Sequence, residues 1–284
     1  MRRISRRRSL SVVLQFVKQF GNTDLRARLR LALVLLMLVG NTALGSTAQE
    51  VQQKLNVAVA ANFFKSMERL GQTFEQKTGV KITVSSGSTG ALFAQIQNGA
   101  PFDAFFAADV ARPLRLEEEG QIVAGSRFTY AIGKLALWST QEGFVDDQGD
   151  VLRTGKFQHL AMATPSTAPY GLAAREVLQN LGLWASLQGK IVRGENVAQT
   201  FQFVATGNAE LGFVAWSDLN QPDVPTKSIA GSFWVVPQAL YDPIKQQAVL
   251  LFASPKQALG EQFLDFVRSS EARQLILKSG YDLP

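Results

Sequence analysis

Val80-Lys81-Ile82-Thr83-Val84-Ser85-Ser86-Gly87-Ser88-Thr89-Gly90-Ala91-Leu92 decides the fold, because an apolar strand at 80–84 runs through a hydroxyl-rich, glycine-relieved turn into a helical run at 91–98. A helix start of this kind is built to hold an anion. Working outward, Ala60-Ala61-Asn62 makes a second such turn between a strand at 55–60 and a helix pattern at 63–77. Neither turn contains a charged side chain. In the first helix Phe64, Met67, Leu70 and Phe74 recur at spacings of three and four, the stripe of a helix packed on one face. With a further strand at 103–107 and a helix from Asp109 to about Glu119, the run is β-α-β-α-β, which implies a parallel sheet with right-handed crossovers.

A β-rich stretch at 128–139 and a polar loop at 141–150 lead to a second series of the same kind. It reads as strands at 159–163, 190–192 and 210–216, with helices at about 170–181 and 197–206. Strand 233–236 leads out of it, and strand 248–252 and two short helices beginning at Ser254-Pro255 follow. Two α/β series with a late returning segment predict two lobes joined by two crossovers, each a mainly parallel sheet flanked by helices. The expected division is 49–132 with 237–284 as lobe 1 and 133–236 as lobe 2. Ligands of open α/β sheets sit beyond the carboxyl ends of the strands, so both lobes would offer donors to one cleft.

Residues 1–48 read as a long-headed signal peptide: nine Lys/Arg and one acid, the apolar run 31–39, then small residues ending Ser46-Thr47-Ala48. The run is shorter than the roughly 20 residues a membrane span needs. Cleavage is expected after Ala48 or near Gly45. The whole chain carries a formal charge of +6, but beyond residue 48 there are 20 Lys/Arg and 22 Asp/Glu, a charge of −2. No basic stripe remains of the kind a nucleic-acid binder needs. Zero cysteines exclude a thiolate metal site, a lipid-modified cysteine and a cysteine nucleophile. The expectation is a protein free in the periplasm.

Catalysis would need a nucleophile with a base, a carboxylate pair or a metal. The one histidine, His159, opens an apolar strand and has no neighbouring motif. Gly87-Ser88-Thr89-Gly90 is one residue short of a nucleophile elbow, and no lysine follows Gly90 to make a P-loop. Anion binding needs less. Orphan N–H groups and the helix dipole favour negative charge at helix starts, and Asn62, Ser88, Thr89, Pro169-Tyr170-Gly171 and Asn196-Val197 all stand at strand-to-helix junctions. Each alone reads as an ordinary cap. Their joint placement in both lobes is what points to a ligand.

Taken in order, Val59-Ala60-Ala61-Asn62-Phe63, Gly87-Ser88-Thr89-Gly90-Ala91-Leu92, Gly99-Ala100-Pro101-Phe102-Asp103, Pro169-Tyr170-Gly171, Glu195-Asn196-Val197, Leu211-Gly212-Phe213-Val214 and Tyr241-Asp242-Pro243-Ile244 resemble the periplasmic molybdate-binding proteins of ABC uptake transporters. The resemblance runs from about Leu55 to Tyr281. It implies the two-lobed periplasmic binding protein fold of type II, holding a tetrahedral oxyanion with uncharged donors and no cofactor. It implies contacts from the side chain and N–H of Asn62, from Thr89 with Ser88 beside it, from Tyr170, and from the backbone N–H of Val197. Some members add a tyrosine where this chain has Ala215, so the Tyr170 phenol is expected to supply that hydroxyl. Molybdate and tungstate, dianions at neutral pH, suit donors without an acceptor.

The implied protein is a monomer that delivers molybdate or tungstate to a membrane permease. Sulfate or thiosulfate is the alternative ligand. Rival readings are a secreted hydrolase acting through Ser88 or Thr89 with His159, and an effector-sensing domain of a regulator. Thr89→Ala is expected to weaken binding, and Lys256→Ala to serve as an inert surface control.

Overall fold

Apolar side chains on both faces make the first strand a central one: Leu55, Val57 and Val59 are fully buried on one side of it and Ala58 on the other. The computed structural model describes residues 53–220 and 230–284, so the expected signal peptide at 1–48 lies outside the described residues. Strand β1 (Lys54–Ala60) passes through one 3-10 turn (Ala61–Phe63) into α1 (Phe64–Thr78). Met67, Leu70 and Phe74 bury the apolar stripe of α1 against the sheet, and the helix stops at Gly79 with φ 74°. Then come β2 (Lys81–Gly87), α2 (Thr89–Gln97), β3 (Ala104–Ala107), α3 (Ala111–Glu118) and β4 (Phe128–Gly133).

The β-rich stretch at 128–139 is two strands in different sheets. Only Lys134 separates β4 from β5 (Leu135–Ser139), where the chain first crosses over. The second half continues with α4 (Val151–Thr154), β6 (Leu160–Ala163), α5 (Pro169–Asn180), α6 (Trp184–Leu187), β7 (Ile191–Gly194), α7 (Val197–Ala205), β8 (Leu211–Ala215), α8 (Trp216–Leu219) and β9 (Ser232–Val235). The chain then returns to the first sheet as β10 (Ile244–Leu250), before α9 (Gln257–Arg268) and α10 (Ser270–Lys278). Strand β10 begins four residues earlier than the sequence suggests. Backbone pairing with β4 outweighs the polar side chains Lys245, Gln246 and Gln247.

Each half is a five-stranded sheet, ordered β2-β1-β3-β10-β4 and β7-β6-β8-β5-β9. In each sheet three neighbouring strands pair in parallel, the fourth position is an antiparallel strand, β10 or β5, adjoining a crossover, and the fifth strand, β4 or β9, runs in the direction of the first three. Each sheet with its helices forms a lobe, and helices cover both faces of each. The parallel strands end at Ala60, Gly87, Ala107, Ala163, Gly194 and Ala215, so their carboxyl ends place the helix starts at the junction of the lobes.

Lys256 is no inert surface residue. Its ammonium sits 3.0 Å from Oδ2 of Asp103, a carboxylate only 3% exposed that also accepts from Ser254 Oγ at 2.6 Å and Asn56 N at 2.7 Å. A charge that deep in the lobe needs its partners.

Candidate functional site

Four helix starts meet at one small cleft, lined by Ala60, Ala61, Asn62, Gly87, Ser88, Thr89, Ala108, Ala168, Pro169, Tyr170, Asn196 and Val197. No lining side chain is charged. All five residues expected at the site, Asn62, Ser88, Thr89, Tyr170 and Val197, therefore border the same space, and each is at least nine-tenths buried. A helix start carries roughly half a positive charge, so four together offset about two negative charges without a Lys or Arg.

The first start follows β1. Its 3-10 turn and α1 have no side-chain cap, which leaves the N–H groups of the first turn as orphan donors. The Asn62 amide turns away from the role expected of it: Nδ2 donates to Gln246 Oε1 at 2.9 Å and to Tyr281 Oη at 3.2 Å. Both amide hydrogens are spent inside the lobe.

At the second start Ser88 is the N-cap of α2, its Oγ accepting from Ala91 N at 3.3 Å. Thr89 Oγ1 accepts from Ala108 N at 3.0 Å. An oxygen occupied as an acceptor keeps its own proton to give, so both hydroxyls retain a donor.

In the second lobe α5 opens with Pro169 in its first turn, and Tyr170 supplies the next N–H. Gly171 lets this helix start lie directly on the end of β6, where a Cβ would stand 2.2 Å from Ala163 O. The Tyr170 phenol stands against Gln246 and Gly133. Its Oη accepts from Gln246 Nε2 at 3.4 Å and packs on Gly133, where a Cβ would come within 2.2 Å of it. The phenol is turned toward the crossing strands, and the backbone N–H remains. At the fourth start Asn196 caps α7 by accepting from Gln199 N at 3.0 Å, leaving the N–H of Val197 at the first helical position.

Behind the cleft lies a network that the sequence reading missed. Tyr281 Oη donates to Asn62 O at 2.7 Å and meets Ser217 Oγ at 2.8 Å, while Tyr130 Oη donates to Gln246 Oε1 at 3.0 Å. Burial pushes the phenols of Tyr130, Tyr170 and Tyr281 up, and their mutual proximity adds to this for Tyr130 and Tyr170. All three stay neutral, so no phenolate faces the cleft. The signal in the sequence was the polar pair Gln246-Gln247 set directly before the apolar run at 248–252.

His159 lies at the far end of β6, exposed, its backbone N donating to Glu210 Oε2 at 2.9 Å. The structure does not bring it to Ser88 or Thr89. Among the described residues no cluster of three or more His, Asp or Glu could hold a metal ion, and no helix is long and apolar enough to cross a membrane.

Two sheets of order 2-1-3-10-4 and 7-6-8-5-9, crossed twice and with helix starts facing one cleft, define a two-lobed periplasmic binding protein fold. The chain belongs to the bacterial extracellular solute-binding proteins, whose family model matches residues 55–282. It is 49% identical over 251 residues to a molybdate-binding protein ModA of Azotobacter vinelandii, covering 88% of this chain and 97% of that protein. It is 45% identical over 259 residues to the Rhodobacter capsulatus molybdate-binding protein ModA, covering 91% and 98%. The solved Azotobacter vinelandii periplasmic molybdate-binding protein superposes with a TM-score of 0.78 at 44% identity, covering 81% of this chain and 99% of that one. A sulfate-binding protein of Mycobacterium tuberculosis shares the fold alone, with a TM-score of 0.65 at 11% identity.

Proposed function

We propose that this chain captures molybdate, and tungstate about as well, in the periplasm and delivers it to the permease of an ABC importer in the inner membrane. The observation that carries the reading is the uncharged cleft at which helix starts from both lobes converge. A tetrahedral dianion matches it in charge and in its need for donors only. The names of the relatives at 49% and 45% identity support the same ligand.

In this reading the lobes are 49–132 with 237–284, and 133–236, and 1–48 is removed on export. The ligand contacts are the N–H groups of Asn62, Tyr170 and Val197 with the hydroxyls of Thr89 and Ser88. Binding needs no cofactor, performs no catalysis and takes place in a monomer. Ligand favours the closed arrangement because only there do both lobes reach the same anion. Isothermal titration of residues 49–284 with molybdate, tungstate and sulfate tests it. Tight one-to-one binding of the first two and none of sulfate is expected; binding of sulfate alone would keep the fold and replace the ligand.

A further inference from the structure

We propose that Gln246 is a positioning residue that ties the anion-facing helix starts of the two lobes to each other. The proposal rests on the oxyanion reading of the cleft and concerns a side chain that does not line it. Gln246 is fully buried on β10, at the point where the register with β4 shifts between Gln246 and Gln247. An irregularity of this kind re-aims side chains, and here it sits directly behind the cleft.

The amide is engaged at both ends. Oε1 accepts from Asn62 Nδ2 at 2.9 Å and from Tyr130 Oη at 3.0 Å, and Nε2 donates to Tyr170 Oη at 3.4 Å. Turning it over would set Nε2 against the Asn62 Nδ2 donor, so the partners fix its orientation. Asn62 belongs to the first helix start of lobe 1, and Tyr170 to the first turn of α5 in lobe 2. One buried side chain thus holds a residue at an anion-facing helix start in each lobe. Opening the cleft by moving α5 would strip Nε2 of the Tyr170 oxygen and leave a buried donor unpaired, which costs free energy. Gln246 therefore favours the closed arrangement and sets the distance between the Asn62 and Tyr170 N–H groups.

The test is a double-mutant cycle on the leader-free protein, with molybdate affinity and dissociation rate as readouts and melting temperature recorded beside them. Gln246→Leu is expected to raise the Kd at least tenfold, mainly through faster dissociation, and Tyr170→Phe alone at least threefold. Adding Tyr170→Phe to Gln246→Leu is expected to cost less than twofold more, because the bond is already gone. A residue that only supports the core would lower the melting temperature while the two effects on Kd multiplied, and that result overturns the proposal. So does an affinity of Gln246→Leu within twofold of the parent. If Gln246→Leu does not fold, Tyr170→Phe decides alone: an unchanged dissociation rate overturns the proposal, a faster one supports it. A parent protein that binds no molybdate overturns the oxyanion reading and this proposal with it, and so is distinguishable from the failures in which the parent binds.

Discussion

The backbone N–H of Gly90, in the first turn of α2, donates to the carbonyl oxygen of Thr167, in the turn before α5, at 2.9 Å. The bond joins the lobes beside the cleft. Arg112 reinforces it, its guanidinium held by Asp109 while Nη2 donates to Ser166 O at 2.9 Å. A bond between lobes exists only while they are together, so these groups act on closure rather than on the ligand.

Arg112→Ala should therefore weaken molybdate binding about three- to tenfold, or roughly 1 kcal/mol, the worth of one hydrogen bond. The loss should fall on the dissociation rate. Stopped-flow measurement of association and dissociation checks this; an unchanged dissociation rate would remove Arg112 from the closure contacts.

Thr89→Ala should cost about 1.5–3 kcal/mol of binding, the range for a hydrogen bond to a charged group. It should also lower the melting temperature, since the buried Ala108 N–H loses its acceptor. Thr89→Ser keeps the oxygen and should restore most of both. Titration calorimetry with thermal denaturation separates the two effects.

A methyl group at residue 133 would have to share space with Tyr170 Oη at 2.2 Å and Gln246 Nε2 at 2.7 Å. Gly133→Ala should destabilise the protein by about 1–3 kcal/mol, as overpacking does. It should also weaken molybdate binding, because the displaced phenol carries the start of α5 with it. Paired denaturation and titration experiments check both expectations; full affinity in the variant would uncouple the crossover from the cleft.

Lys256→Ala should lower stability and leave molybdate affinity alone. It unpairs the buried Asp103 carboxylate, which keeps its bonds from Ser254 and Asn56, so a loss of about 1–3 kcal/mol is expected. Asp103 precedes β3, at the end of the sheet away from the cleft. An exposed edge residue such as Lys81 is the better neutral control. Urea denaturation and titration of both alanine variants decide the matter.

Asp218 gives a pH dependence. The residue as a whole is only partly buried, but its Oδ2 is shielded from solvent, and burial pushes the carboxyl from 3.8 up to about 7, against the Lys65 ammonium that pulls it down. The folded chain keeps this proton where the unfolded chain has lost it, so its contribution to stability falls as pH rises from about 4 to about 7. Asp218→Asn should flatten that part of the stability profile and raise the melting temperature at neutral pH. Melting curves of both proteins across this range test it.

Much of this was legible in the sequence because the signals were local. The 3.6-residue stripe of Met67, Leu70 and Phe74 marks α1 by itself, and the Gly87–Gly90 turn announces a helix start with no charge in it. Side-chain direction was not legible. Asn62 and Tyr170 look like donors to a ligand, yet both turn inward to Gln246, 184 and 76 residues away in the chain. Partners that distant are set by the way β10 returns to the first sheet, which no local pattern encodes. The same return buries Asp103 beneath Lys256 and makes an apparently ordinary surface lysine structural.

The central claim is that an oxyanion is held between the lobes by helix starts and hydroxyls. Anomalous diffraction at the molybdenum absorption edge, on crystals of the leader-free protein grown with molybdate, tests it most directly. The account predicts one strong peak in the cleft, with its oxygens within hydrogen-bond distance of the N–H groups of Asn62, Tyr170 and Val197 and of the Thr89 hydroxyl. A peak elsewhere, or an empty cleft at saturating molybdate, would contradict it.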